Sequence, residues 1–409
     1  MIEPPIDSLD KGIPFGAQAG GRLIVLVGDL HFPLLVLKEE ALDHNIKAMS
    51  EWCRQEGLLL APHGKTTMCP QIWKRQLAAG AWGVTVAHAS QAMICVQAGV
   101  KRILIANQVV DRAAVFSLVA VLRADPSLEI YTLIDSVDGV QRLAGHLRAA
   151  GAVRPIPVLL EWGRPHWRTG ARSRGQALSV RDEVLRHGEL LRFAGVECFE
   201  GSAHGGSPDE DAREVSEFIT EAIDLLCHLQ PGFDYPLLFS AGGSAFLDCV
   251  QEGCRSIRGR FPVVLRSGCY VSHDHGYYRR RSEQAFGRGG SGIPRFVPAL
   301  ELWSVVQSIP DPDLAILNFG KRDCSYDIDL PLPLYAWAGG DQGPIPLSAS
   351  RIAQLNDQHA FLQEPPAGLR VGDLVCCGIS HPCTTFDKWR VIPVVDQDYQ
   401  LVDWYRTYF

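Results

Sequence analysis

Among the 12 cysteines of this 409-residue chain no two stand in a C-x-x-C pair, so neither a zinc ribbon nor a thioredoxin-like redox motif is signalled. They are also too sparse for a disulfide scaffold, and reduced core thiols in a cytoplasmic protein are expected. Excess positive charge is missing too: 39 Lys and Arg face 46 Asp and Glu, a formal net charge of -7. Coating nucleic acid needs a basic face, so nucleic acid is excluded as a partner. Long apolar runs are absent. The most apolar stretch, residues 23–37, is broken by Asp29, His31 and Pro33, and falls short of the ~20 residues a membrane helix requires. Residues 1–12 are acidic with two prolines and lack the basic-then-apolar order of a secretory signal. The expectation is a soluble, cytoplasmic protein with no membrane partner. No solenoid repeat or low-complexity tract interrupts it.

What is present is a rhythm. Short runs rich in Val, Ile, Leu and Phe fall at 58–61, 84–87, 102–106, 129–134, 156–161, 193–198, 237–240 and 263–266. Such runs suit strands buried on both faces. Amphipathic stretches separate them, as at 70–79, 90–98, 137–149, 181–191 and 209–229. Eight β/α units are the number that closes a parallel (β/α)8 barrel, with a doubly wound open sheet as the alternative. Beyond about residue 282 the helical pattern fades, and strand-like runs follow at 296–307, 314–317, 374–377 and 389–395. The expected architecture is α/β: a barrel over 45–282 and a mostly antiparallel β domain from 1–44 and 283–409. The extended run 22–36 is assigned to the β domain.

In such barrels chemistry sits at the C-terminal strand ends. The first strand runs into Pro62-His63-Gly64-Lys65-Thr66, which sets Lys65 at the mouth, where desolvation favours a Schiff-base amine. A phosphate loop is excluded there, because its upstream glycine position is Leu59. The seventh strand ends in Gly242-Gly243-Ser244 and the eighth in Arg266-Ser267-Gly268-Cys269-Tyr270. Small-residue turns after strands seven and eight, one of them before a helix, suit a phosphate. The stretch Gly287 to Gly292 has dinucleotide-type spacing, but it lacks strand-to-helix context and reads as a linker. Far downstream stand His381 and Cys383. In an extended segment residues two apart share a side, so imidazole and thiolate can hold one borderline-soft ion with positions left open.

Taken together, the Lys65 motif, the Gly-Gly-Ser turn, the Arg-x-Gly-x-Tyr turn and His381-Pro382-Cys383 resemble the D-serine dehydratase and D-threonine aldolase group. These are pyridoxal-phosphate enzymes of the alanine-racemase type of fold. The stretch from Ser380 to Arg390 is similar to its bacterial "amino acid deaminase" branch. The resemblance implies that Lys65 holds pyridoxal 5'-phosphate as a Schiff base. Gly242, Gly243, Ser244, Gly268 and Cys269 would bind its phosphate, with Tyr270 beside them, and Arg168 would approach the pyridine nitrogen. His63 would line the site, and His381 and Cys383 would hold a divalent metal, zinc rather than manganese. Departures from the pattern fall at Gly64, Met68 and Ser267, while Cys383 is the dehydratase-like choice where aldolases often carry aspartate.

The implied activity is dehydration of a D-β-hydroxy amino acid such as D-serine to a 2-keto acid and ammonia. Lys65 would remove the α-proton and the metal would make the β-hydroxyl a better leaving group. Aldol cleavage of a D-3-hydroxy amino acid to glycine and an aldehyde shares those parts. So does dehydration of a D-glucosaminate-like sugar acid. A pyridoxal-phosphate carrier without chemistry of its own is the non-enzymatic alternative, against which the long β domain weighs. A homodimer is implied by the resemblance, with the β domain of one copy closing the barrel mouth of the other.

Overall fold

The computed structural model describes residues 10–14, 24–203, 205–290, 292–338 and 343–409. Every apolar run named for the barrel becomes a parallel strand. After a leading strand β1 (Leu34–Lys38) come β2 (Leu59–Leu60), β3 (Val84–Val86), β4 (Arg102–Gln108), β5 (Glu129–Ile134), β6 (Ile156–Trp162), β7 (Leu191–Cys198), β8 (Leu238–Ala241) and β9 (Val263–Leu265). Their order is β2-β9-β8-β7-β6-β5-β4-β3. The last seam is closed by Trp82 N–H donating to Leu60 O, Thr85 N–H donating to Pro62 O, and a parallel bridge between His63 and Thr85. The sheet is therefore a closed (β/α)8 barrel rather than a doubly wound open one. Ala61, Leu104, Tyr131, Leu133, Leu159 and Leu238 fill its interior.

Capping residues fix where the outer helices begin. Ser207 and Glu210 form a capping box at the start of the helix Pro208–Leu229. The helix expected at 181–191 lies earlier, at Arg174–Arg186, because the Ser173 side chain accepts from Gln176 N–H and starts it there.

The second sheet is mixed and mostly antiparallel. β1 pairs antiparallel with Leu300–Asp311 and parallel with Val391–Val395. The strand Leu374–Gly378 lies on the other side of Leu300–Asp311. The expected run 22–36 is not one strand: Arg22 and Leu23 lie outside the described residues, Val25–Val27 is a 3-10 turn, and only Leu34–Lys38 is extended. Gly28, with φ 80°, turns the chain before β1. Further strands at Leu332–Trp337, Arg351–Leu355, Ala360–Gln363 and Leu401–Arg406 carry too little alternation to read in sequence. The Gly287–Gly292 stretch, whose Ser291 lies outside the described residues, follows the helix Tyr277–Gly287 instead of preceding one. No helix among the described residues is long and apolar enough to cross a membrane.

One contact set brings the two sheets to the same place. His275 N–H donates to Ile379 O at 2.8 Å, and His381 N–H donates to Asp274 Oδ2 at 3.0 Å. The turn after Leu374–Gly378 is thereby held over the barrel mouth.

Candidate active site

A cavity of about 250 Å³ opens at the C-terminal end of the barrel strands. His63, Lys65, Arg168, Gly242, Gly243, Ser244, Gly268, Cys269, His381 and Cys383 all line it. Tyr270 does not. The 3-10 turn Cys269–Val271 sends its ring into the barrel wall, where its hydroxyl accepts from Gln76 Nε2 at 3.0 Å.

Lys65 sits in the turn Gly64–Thr66 that follows β2, half-buried, and has no ion pair or hydrogen bond among the described residues. An amine so placed is available as a nucleophile or base. His63 lies beside it with Nδ1 shut away from solvent and without a partner. Burial, with the charges of Lys65, Arg266 and Arg168, holds the His63 imidazolium well below its ordinary range, so the ring is neutral.

The two small-residue turns differ in what they offer. Gly242, at φ 96°, adopts a left-handed conformation that glycine takes without strain. Its N–H and that of Gly243 are already engaged by the buried Glu200, at 3.2 and 2.5 Å. The free donors lie further on. The N–H groups of Ser244, Ala245, Gly268 and Cys269 have no partner among the described residues, and all four residues line the cavity. Gly268 is tightly held, since a Cβ there would come within 2.5 Å of His63 O. The following helix, Leu247–Gly253, starts two residues beyond Ala245 and has only seven residues, so the donors are the turns' own N–H groups.

Beneath the cavity, Arg266 forms a fully buried ion pair with Glu197. Its guanidinium also donates to Ser240 Oγ at 2.7 Å and Cys198 O at 3.0 Å. Burial pushes the Glu197 carboxyl up to about 8, against the pull of Arg266. The guanidinium of Arg168 lies 4.2 Å from the centroid of the Phe199 ring.

Reaching the cavity from the second sheet, His381 and Cys383 do not lie on an extended segment as expected. His381 has φ 71°, and Cys383 opens the short helix Cys383–Phe386. The turn holds this uncommon conformation through Asp274 on the His381 N–H and Asp327 Oδ2 at 2.6 Å from Nδ1. Thr384 Oγ1 donates to the other Asp327 oxygen at 2.9 Å. Cys383 Sγ stands 3.3 Å from Thr66 Oγ1 and 3.4 Å from Cys269 Sγ. Burial lowers His381, but Cys383 and Asp327 outweigh it and bring the imidazole up to about 9. Hydrogen bonding from Cys269, opposed by burial and supported by His381, holds the Cys383 thiol well below its usual range. The pair is thus a thiolate beside an imidazolium. No three ligand side chains converge on one point among the described residues.

Glu197, Glu200, Asp274 and Asp327 were not singled out by sequence. Each acts through a partner distant in sequence, and no local pattern marks such a pairing.

Residues 299–395 match a family described as "Putative serine dehydratase domain". A D-threonine aldolase from Arthrobacter sp is 26% identical over 362 residues, 88% of this chain and 86% of that protein. Over residues 299–395 the chain carries that domain, and over most of its length it is similar to a D-threonine aldolase. The same fold is seen in the crystal structure of a D-threonine aldolase from Filomicrobium marinum. That structure has a TM-score of 0.78, with 24% identity over 95% of this chain and 98% of that one. A D-threo-3-hydroxyaspartate dehydratase from Delftia sp. HT23 superposes with a TM-score of 0.73, at 19% identity over 94% and 99% of the two chains. A dehydratase of that name is also solved with a histidine and, two positions further on, a cysteine replaced by alanine, the cysteine variant in a metal-free form.

Proposed function

We propose that this chain is a pyridoxal-phosphate- and metal-dependent lyase acting on D-β-hydroxy amino acids. The observation that carries the reading is the single cavity in which an unpartnered lysine, free backbone N–H groups and a His-x-Cys pair converge. The groups fit the cofactor: Lys65 for its aldehyde, the N–H groups of Ser244, Ala245, Gly268 and Cys269 for its phosphate, and Arg168 for its pyridine ring. When bound, pyridoxal phosphate stabilises negative charge that develops at the substrate α-carbon. Lys65 then moves the α-proton, with proximity supplying much of the advantage. Tyr277, Tyr278 and Phe199 line the cavity and exclude water from it.

His381 and Cys383 are the donors that fit a divalent metal, and a thiolate favours zinc over manganese. A metal there supplies Lewis acidity to the β-oxygen. Loss of that oxygen as water, giving a 2-keto acid and ammonia, is the reading supported by the pair. Its two-residue spacing matches the substituted histidine and cysteine of the dehydratase variants. Aldol cleavage is the second reading, favoured by the similarity to D-threonine aldolase over most of the chain and by the neutral His63 ring at the cavity wall. The deciding experiment incubates the holoenzyme with D-serine, D-threonine and D-3-hydroxyaspartate and measures keto acid, ammonia, glycine and aldehyde. Keto acid with ammonia supports dehydration. Glycine with aldehyde and no keto acid replaces it with aldol cleavage.

A homodimer fits an exposed alternating run, Tyr326, Ile328, Leu330 and Leu332, next to Asp327 at the cavity rim. All 12 cysteines are free, in keeping with a cytoplasmic location.

A further inference from the structure

The expected phosphate donors Gly242 and Gly243 have both N–H groups turned away from the cavity, onto Glu200. Glu200 is fully buried and lies more than forty residues earlier in the chain, in the turn Glu200–Ser202 after β7. Its two carboxylate oxygens take one N–H each. That spans the glycine turn and fixes its backbone as a bidentate clamp, with charge-assisted hydrogen bonds. The next two N–H groups, of Ser244 and Ala245, remain without partners on the cavity side, across from those of Gly268 and Cys269. Ser267 ties the two turns together, its Oγ donating to Gly242 O and Gly243 O at 3.2 Å each.

We propose that Glu200 is a positioning residue that presets the Gly242–Gly243 turn, so that Ser244, Ala245, Gly268 and Cys269 form the phosphate cup. The proposal rests on the cofactor reading above and refines which backbone groups take the phosphate. A carboxylate in a turn of this kind has one other role, that of a stand-in anion filling the cup until the cofactor displaces it. The two roles predict opposite signs. Removing a clamp weakens phosphate binding, whereas removing a competitor strengthens it.

The test titrates apo-protein with pyridoxal 5'-phosphate and, separately, with pyridoxal, which lacks the phosphate. Dissociation constants are read from the visible absorbance of the lysine adduct. Glu200→Ala is expected to raise the dissociation constant for pyridoxal 5'-phosphate by about tenfold, with that for pyridoxal almost unchanged. Glu200→Gln retains one acceptor and is expected to fall between, which preserves the test if the alanine variant does not fold. Tighter binding, no change, or an equal loss for both compounds overturns the clamp while leaving the cofactor reading intact. A wild-type chain that gives no adduct, or a Lys65→Ala variant that still gives it, overturns the cofactor reading and the clamp with it.

Discussion

The two walls of the cavity are built on opposite principles. On the barrel wall the reactive groups are left without partners among the described residues: Lys65 makes no hydrogen bond, His63 Nδ1 is orphaned, and four backbone N–H groups are free. On the β-domain wall they are held in place. His381 is fixed by Asp274 on its N–H and by Asp327 on Nδ1, and Ser380 Oγ donates to Asp329 at 2.7 Å. An unpartnered wall suits a guest that brings its own aldehyde and phosphate. A braced wall suits an ion, whose ligands must be aimed beforehand.

The sharpest way to break this comparison is Lys65→Ala. Turnover is expected to fall by about a thousandfold or more, with loss of the cofactor's visible band. Next comes Cys383→Ser or His381→Ala, with turnover down by about a hundredfold or more and the band retained. Loss of the band in those variants would show that the walls do not act separately. Asp327→Asn leaves His381 and Cys383 in place but loosens the hold on the imidazole. Metal affinity, measured by competition with a chelating dye, is expected to drop about tenfold to a hundredfold. Unchanged affinity would demote the bracing to packing.

The smallest effect concerns acid stability beneath both walls. Burial lowers His273 and His275 to about 4. Their folded pKa lies below the unfolded one, so the unfolded chain takes up protons first, and stability is lost as pH falls from 6.5 toward 4. Each contributes a loss of roughly 2 kcal/mol by pH 5. His275→Gln is expected to flatten the decline of the melting temperature between pH 7 and 5, and an unaltered slope would refute the assignment.

The barrel is legible because its strands are local, apolar on both faces and separated by amphipathic helices. Lys65 and the glycine turns could be located because each stands just past a strand end, whereas Arg168 came only from the family resemblance. The β domain is less legible: strands such as Leu401–Arg406 are exposed at alternate positions and find partners only through the fold. Tyr270 sits one residue past a cavity-lining cysteine, yet a single 3-10 turn sends it into the wall.

The residue types and their order therefore determined by themselves which groups this chain can offer: an amine, two small-residue turns and a His-x-Cys pair. Only the tertiary structure decided how those groups are used. It assigned Glu200 to Gly242 and Gly243, Glu197 to Arg266 and Asp327 to His381, partners set 42, 69 and 54 positions apart or thereabouts. A hydrogen bond between such residues depends on where the fold brings their atoms, and no pattern along the chain encodes that distance.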